Sequence, residues 1–102
     1  MAGDSSRKVD VHKPEIILLE DGLNAGELQV TIKKVLGARS YIFQYTTTDP
    51  TLETTTWTSE MSVVIKYVFK NLQSGQRYWC RVAAVGSKDK VVYGDPVFRI
   101  AQ

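Results

Sequence analysis

Residues 72–85 read LQSGQRYWCRVAAV: a leucine, a glycine-bearing turn, and then Tyr78, Cys80, Val82 and Ala84 at every second position. That period of two puts four side chains on one face of an extended strand, and the polar residues around Gly75 form the tight corner through which the strand is entered. An inner face of this kind must be covered by a second layer. The stretch therefore predicts a central strand of a β-sandwich.

The same period recurs along the chain. Residues 15–20 carry IILL and close on the turn dipeptide Asp21-Gly22. Leu28, Val30 and Ile32 alternate with Gln29, Thr31 and Lys33, and Tyr41, Phe43 and Tyr45 alternate with Ile42, Gln44 and Thr46. Asp49-Pro50 suits a turn or an edge, because proline cannot donate to a ladder; residues 54–58, with Trp57, are expected to form a short edge strand. β-Branched threonine suits such an edge, which is preferred here to a glycosylated tract. Val63, Ile65, Tyr67 and Phe69 are read as the inner face of a strand running to Leu72. Residues 87–90 form a polar hairpin tip, and residues 91–101 a last strand interrupted at Gly94-Asp95-Pro96, where a bulge would reset the phase. Turn signals about every ten residues and the lack of helical periodicity predict an all-β, seven-stranded Greek-key sandwich. The 102 residues suffice for one domain, assigned to residues 14–102 after a polar tail or linker over residues 1–13.

Composition excludes several functions. The net charge of +2 comes from 13 basic and 11 acidic residues with no run of five like charges, so there is no concentrated basic face and no nucleic-acid partner is expected. No apolar stretch approaches membrane-spanning length, so no membrane insertion is expected either. A lone cysteine cannot close an intrachain disulfide, which leaves packing to hold the core. No compartment is named by these residues, although a cell-envelope or secreted parent protein fits them. Cys80 falls on an inward position and reads as a small buried hydrophobe; His12 lies outside the strands, and Asp21, Asp49, Glu53, Asp89 and Asp95 stand in separate loops. Neither a nucleotide loop nor a nucleophile elbow is present. No catalytic residue, metal or cofactor is assigned.

Leu72, Gly75 and Tyr78 in LQSGQRY resemble the L-x-P-x-T-x-Y corner of fibronectin type III domains, and YGDPV resembles the S-x-P opening of that family's last strand. VLGARSYIFQYT is similar to its loop and third strand, so the resemblance spans residues 14–102. Ser74, Gln76 and Ile32 depart from the family's usual Pro, Thr and Trp. The wording GARSYIFQYTTTDP, SGQRYW and RVAAVG is most like domains of small bacterial proteins that follow a helical N-terminal region. The resemblance implies a corner role for Tyr78, with its hydroxyl bonded back to the upstream backbone, and a non-catalytic interaction or spacer module of a larger bacterial protein. The tip GSKDKVV has no Arg-Gly-Asp, so integrin binding is not implied.

If Tyr41 and Tyr78 face inward, then Ile42, Gln44, Trp79, Arg81, Ala83 and Val85 face outward. A tryptophan beside an arginine with aliphatics is a composition enriched at interfaces. Ile42, Trp79, Arg81 and Trp57 are therefore the candidate partner-binding residues, with a protein as the expected partner. The competing reading places Trp79 under a flanking loop or stacked on Arg81. A polysaccharide is the alternative ligand, with Trp57 and Tyr45 as a sugar-stacking platform in an accessory module of a secreted enzyme. Lys33, Lys66 and Lys70 form a basic stripe on the other sheet, a pattern that usually serves solubility and edge protection.

Overall fold

The alternating segments become antiparallel strands because each has one apolar face to bury. The computed structural model describes residues 11–102, with strands β1 (Ile16–Asp21), β2 (Leu28–Ile32), β3 (Ser40–Thr46), β4 (Thr58–Ser62), β5 (Lys66–Phe69), β6 (Arg77–Val85), β7 (Val91–Tyr93) and β8 (Val97–Ile100). A single 3-10 turn over Ser87–Asp89 is the one helical element among the described residues. One sheet is ordered β1-β2-β5; the other is ordered β4-β3-β6-β7, with β8 also on β6. The final strand is thus cut in two: β7 pairs the far half of β6 and β8 its near half, so eight segments occupy seven strand positions. The cut falls at Gly94, whose amide still donates to the Val82 carbonyl at 2.8 Å.

Between the sheets Phe43, Leu28, Ile32, Val30, Val82 and Cys80 are fully buried. The Phe43 and Tyr67 rings stack at 5.1 Å, and Tyr45 meets Phe69 and Tyr78 edge-on at 4.9 and 5.6 Å. Such pairs add about 0.5–1.5 kcal/mol each beyond their area burial. Two tyrosines end in hydrogen bonds at opposite ends of the sandwich. The Tyr78 hydroxyl accepts from the Gln73 amide at 2.7 Å, across the corner that holds buried Leu72 and Gly75 at φ 84°. The Tyr41 hydroxyl accepts from the Val35 amide at 2.9 Å and pins the loop between β2 and β3.

Three expectations change. The edge strand is Thr58–Ser62 and not residues 54–58, which leaves Trp57 just ahead of it. The preceding threonines bond locally instead: Thr51 donates from its amide and hydroxyl to Asp49 Oδ1, and Thr48 to Thr55, an alternative to a ladder that hydroxyl side chains offer. The strand expected from Val63 starts only at Lys66, and Val63 is 75% exposed. There the chain must leave one sheet for the other, and the Ser62 hydroxyl accepts from the Val64 amide across the bend. Of the expected tail over residues 1–13, residues 1–10 lie outside the described residues. Val11 packs into the core at 7% exposure, beside Gly86, and Pro14 is buried. Among the described residues, packing thus reaches at least three residues ahead of Pro14; two valines, Val9 and Val11, in an otherwise polar stretch are too short a run to signal a strand.

Candidate interaction surface

The outer face of the β4-β3-β6-β7/β8 sheet is assembled by register. Gln44 sits opposite Ser59 on one side and Arg81 on the other, Ile42 opposite Met61 and Ala83, and Thr46 opposite Trp79. The row continues from Trp79 to Phe98, from Arg77 to Ile100 and from Ala83 to Tyr93. Side chains on one face of paired strands stand about 4.5–5.5 Å apart, so these rows are in contact. Phe98 is 53% and Tyr93 46% exposed, with Met61, Ile100 and Val91 also open to solvent.

Arg81 is the centre of this face. Its guanidinium carbon lies 4.0 Å from the Trp57 ring centroid and 4.4 Å from that of Tyr93. Its Nε donates to Gln44 Oε1 at 2.6 Å, and Gln44 Nε2 donates to the Ser59 hydroxyl at 2.8 Å. This chain explains why Gln44, although outward, is only 7% exposed. Burial draws the Arg81 pKa down, with the Tyr93 phenol opposing the shift. One row below, the Trp79 and Phe98 rings meet at 4.9 Å with a 50° tilt, and the Arg77 guanidinium lies 4.9 Å over Phe98. Arg77, Trp79 and Ile100 continue into an open groove of about 670 Å³ rimmed by Thr47, Asp49 and Gly75.

Ile42, Trp79, Arg81 and Trp57 therefore share one face. The stacking partner of Arg81 is Trp57 with Tyr93, while Trp79 pairs with Phe98. Trp57 and Tyr45 do not form a platform, because Tyr45 packs inward on Phe69 and Tyr78. Phe98, Tyr93 and Ile100 were not singled out in the sequence. The phase of the last strand decides their direction, and that phase passes through Gly94-Asp95-Pro96; the clue was the two-residue repeat of Phe98 and Ile100, which matches that of Trp79 and Arg77.

Elsewhere, Cys80 is fully buried and burial alone pushes its thiol pKa up to about 12, which disfavours the thiolate a nucleophile needs. No group of three or more His, Cys, Asp or Glu that could hold a metal ion occurs among the described residues. His12 is exposed beside a groove with Lys13, Glu15, Lys33 and Lys34. Lys33, Lys66 and Lys70 are all exposed, at the border of the other sheet.

No family model and no curated protein matches the chain. Among solved structures it is similar to an Fn3-like protein from Clostridium thermocellum, at 16% identity over 78% of this chain and 81% of that one, with a TM-score of 0.65. It is also similar to the FN5 domain of Drosophila Lar, at 17% identity over 89% and 96% of the two chains and a TM-score of 0.66. A third structure, FN3tt mut, matches at 20% identity over 87% and 92%, with a TM-score of 0.61. With the two antiparallel sheets, these likenesses define the class: the chain has the fibronectin type III fold, an immunoglobulin-like β-sandwich.

Proposed function

We propose that the chain is a non-catalytic interaction module of a larger bacterial protein, and that it presents the outer face of the β4-β3-β6-β7/β8 sheet to a protein partner. The observation that carries this reading is the gathering of Phe98, Tyr93, Met61, Ile100 and Val91, all solvent-exposed, on one sheet face with Trp79 and two arginines. Exposed aromatics beside arginine are the side chains that dominate binding energy at protein interfaces. A structural role alone would not require them to face water.

The test compares partners retained by immobilised wild type, Phe98→Glu and Lys66→Glu, identified by mass spectrometry and then remade as purified proteins. The Phe98 variant should lose the partner and the Lys66 variant, altered on the other sheet, should keep it. Equal retention by both would overturn the assignment of this face. A glycan array separates the carbohydrate reading: retained sugars that are lost on Trp57→Ala or Trp79→Ala would replace the protein partner.

A further inference from the structure

Arg81 is held in a way that a packing role does not explain. Trp57 reaches its guanidinium from the β4 side of β6 and Tyr93 from the β7 side, at 4.0 and 4.4 Å. A planar guanidinium flanked by rings keeps its donors available in its own plane. One of those donors, Nε, is used by Gln44 at 2.6 Å, and that bond fixes the rotation of the fork because Gln44 is itself held by Ser59. The two terminal nitrogens bond to no carboxylate or other acceptor among the described residues. They are not sealed in either: the one buried unpartnered side-chain polar atom among the described residues is Thr31 Oγ1. Arg81, itself half-buried, therefore presents a fixed fork whose terminal N–H groups are not fully enclosed, from the middle of an apolar face.

The charge around it is one-sided. Arg77 and Arg81 are the ionisable groups that stack on the aromatics of this face. Asp49 lies at the rim of the groove beside Arg77, and its Oδ1 is occupied by the Thr51 amide and hydroxyl. Glu60 on β4 stands opposite Phe43, on the inward-facing register. The two arginines are four residues apart on one strand, about 14 Å at a rise of ~3.4 Å per residue, with Trp79 and Phe98 between them.

We infer that Arg81 is the anion receptor of this face, and that the segment it takes is an extended acidic peptide whose carboxylate bridges the two terminal nitrogens. A second carboxylate four residues along would meet Arg77, with an apolar residue between them on Trp79 and Phe98. Bidentate pairing of a guanidinium with a carboxylate is favoured when the fork is pre-organised, because little rotamer freedom is left to lose. This inference rests on the reading of the outer face as a protein-docking surface and names the chemistry of what docks.

The experiment uses synthetic peptides with a fixed Glu-x-Phe-x-Glu centre and randomised flanks, beside a matched Gln-x-Phe-x-Gln set, and measures binding to the protein by fluorescence anisotropy at two salt concentrations. The acidic set should bind wild type at least about tenfold more tightly than the amide set, and Arg81→Gln should remove most of that preference, leaving only the share carried by Arg77. Arg81→Lys, which keeps the charge without the fork, should recover only part of it. The peptide substitution leaves the protein untouched, so the result does not depend on how Arg81→Gln folds. Equal binding of both sets, lost on Trp79→Ala, would overturn the receptor role and leave the docking face standing. Binding of neither set would overturn the acidic peptide as occupant, whereas retention of the natural partner by Phe98→Glu would overturn the docking face itself.

Discussion

Tyr78 is 5% exposed, and its hydroxyl satisfies the Gln73 amide at the corner. Tyr78→Phe keeps the ring packing and removes that acceptor, so it should cost about 1–2 kcal/mol, read as a lower denaturant midpoint at unchanged slope. Tyr41→Phe should cost a similar amount through Val35; an unchanged midpoint in either variant would show the amide to be solvated. Cys80 makes a pH prediction. Its thiol is raised from an ordinary value of 9.0 to about 12 in the folded protein, so the unfolded chain loses the proton first. The stability it contributes is fully present below about pH 9 and is lost as pH rises toward about 12, at up to about 1.4 kcal/mol per pH unit. Denaturation of wild type and Cys80→Ala from pH 8 to 11 should show the wild-type advantage shrinking above pH 9. A constant difference would mean that the thiol ionises alike in both states.

At the scale of the element, the bend between β4 and β5 separates two readings of the same residues. Val63, Ile65, Tyr67 and Phe69 fit a single alternating strand, yet the ladder begins at Lys66 and Val63 stands in water. Val63→Ser should change stability by no more than about 0.5 kcal/mol, whereas Ile32→Ala in the buried face of β2 should cost about 2–5 kcal/mol. A large loss at Val63 would restore the longer strand. The break between β7 and β8 is set by close approach. A Cβ on Gly94 would lie 2.5 Å from the Pro14 carbonyl oxygen and 3.2 Å from that of Val82. Both are backbone atoms that cannot rotate away, so Gly94→Ala should destabilise by about 1–3 kcal/mol, measured by thermal or denaturant unfolding.

For the whole molecule, the two edges of the sandwich differ. Along one, Arg99 on β8 pairs with Asp21 on β1 through two hydrogen bonds of 3.1 and 3.3 Å. Along the other, β4 and β5 flank a groove of about 420 Å³ lined by Tyr45, Thr58 and Tyr67. The second edge has less to hold it, and local opening follows low packing density. Amide hydrogen exchange should therefore be slowest where β3 pairs β6 and fastest, among the ladder amides, in β4. Uniform protection across both sheets would mean that the molecule opens only as a whole.

The alternating runs at 28–32, 41–45 and 77–85 were sufficient to place three central strands and most of the core, because a side-chain period of two allows one buried face and a shift of one residue would expose all of it. The corner at Leu72, Gly75 and Tyr78 was legible for the same reason: it is local in the chain. Residues of the candidate surface were legible on β3 and β6, where the phase is unbroken. The start of β5, the position of β4 and the outward turn of Phe98 and Tyr93 were not, since each depends on a bend or break whose angle is set by distant neighbours. Tertiary structure alone brought Trp57, Gln44 and Tyr93 around Arg81. Residues 44 and 81 are far apart in the chain and meet only through the register of β3 with β6, so the fixed guanidinium comes from strand pairing and is written in no single stretch of sequence.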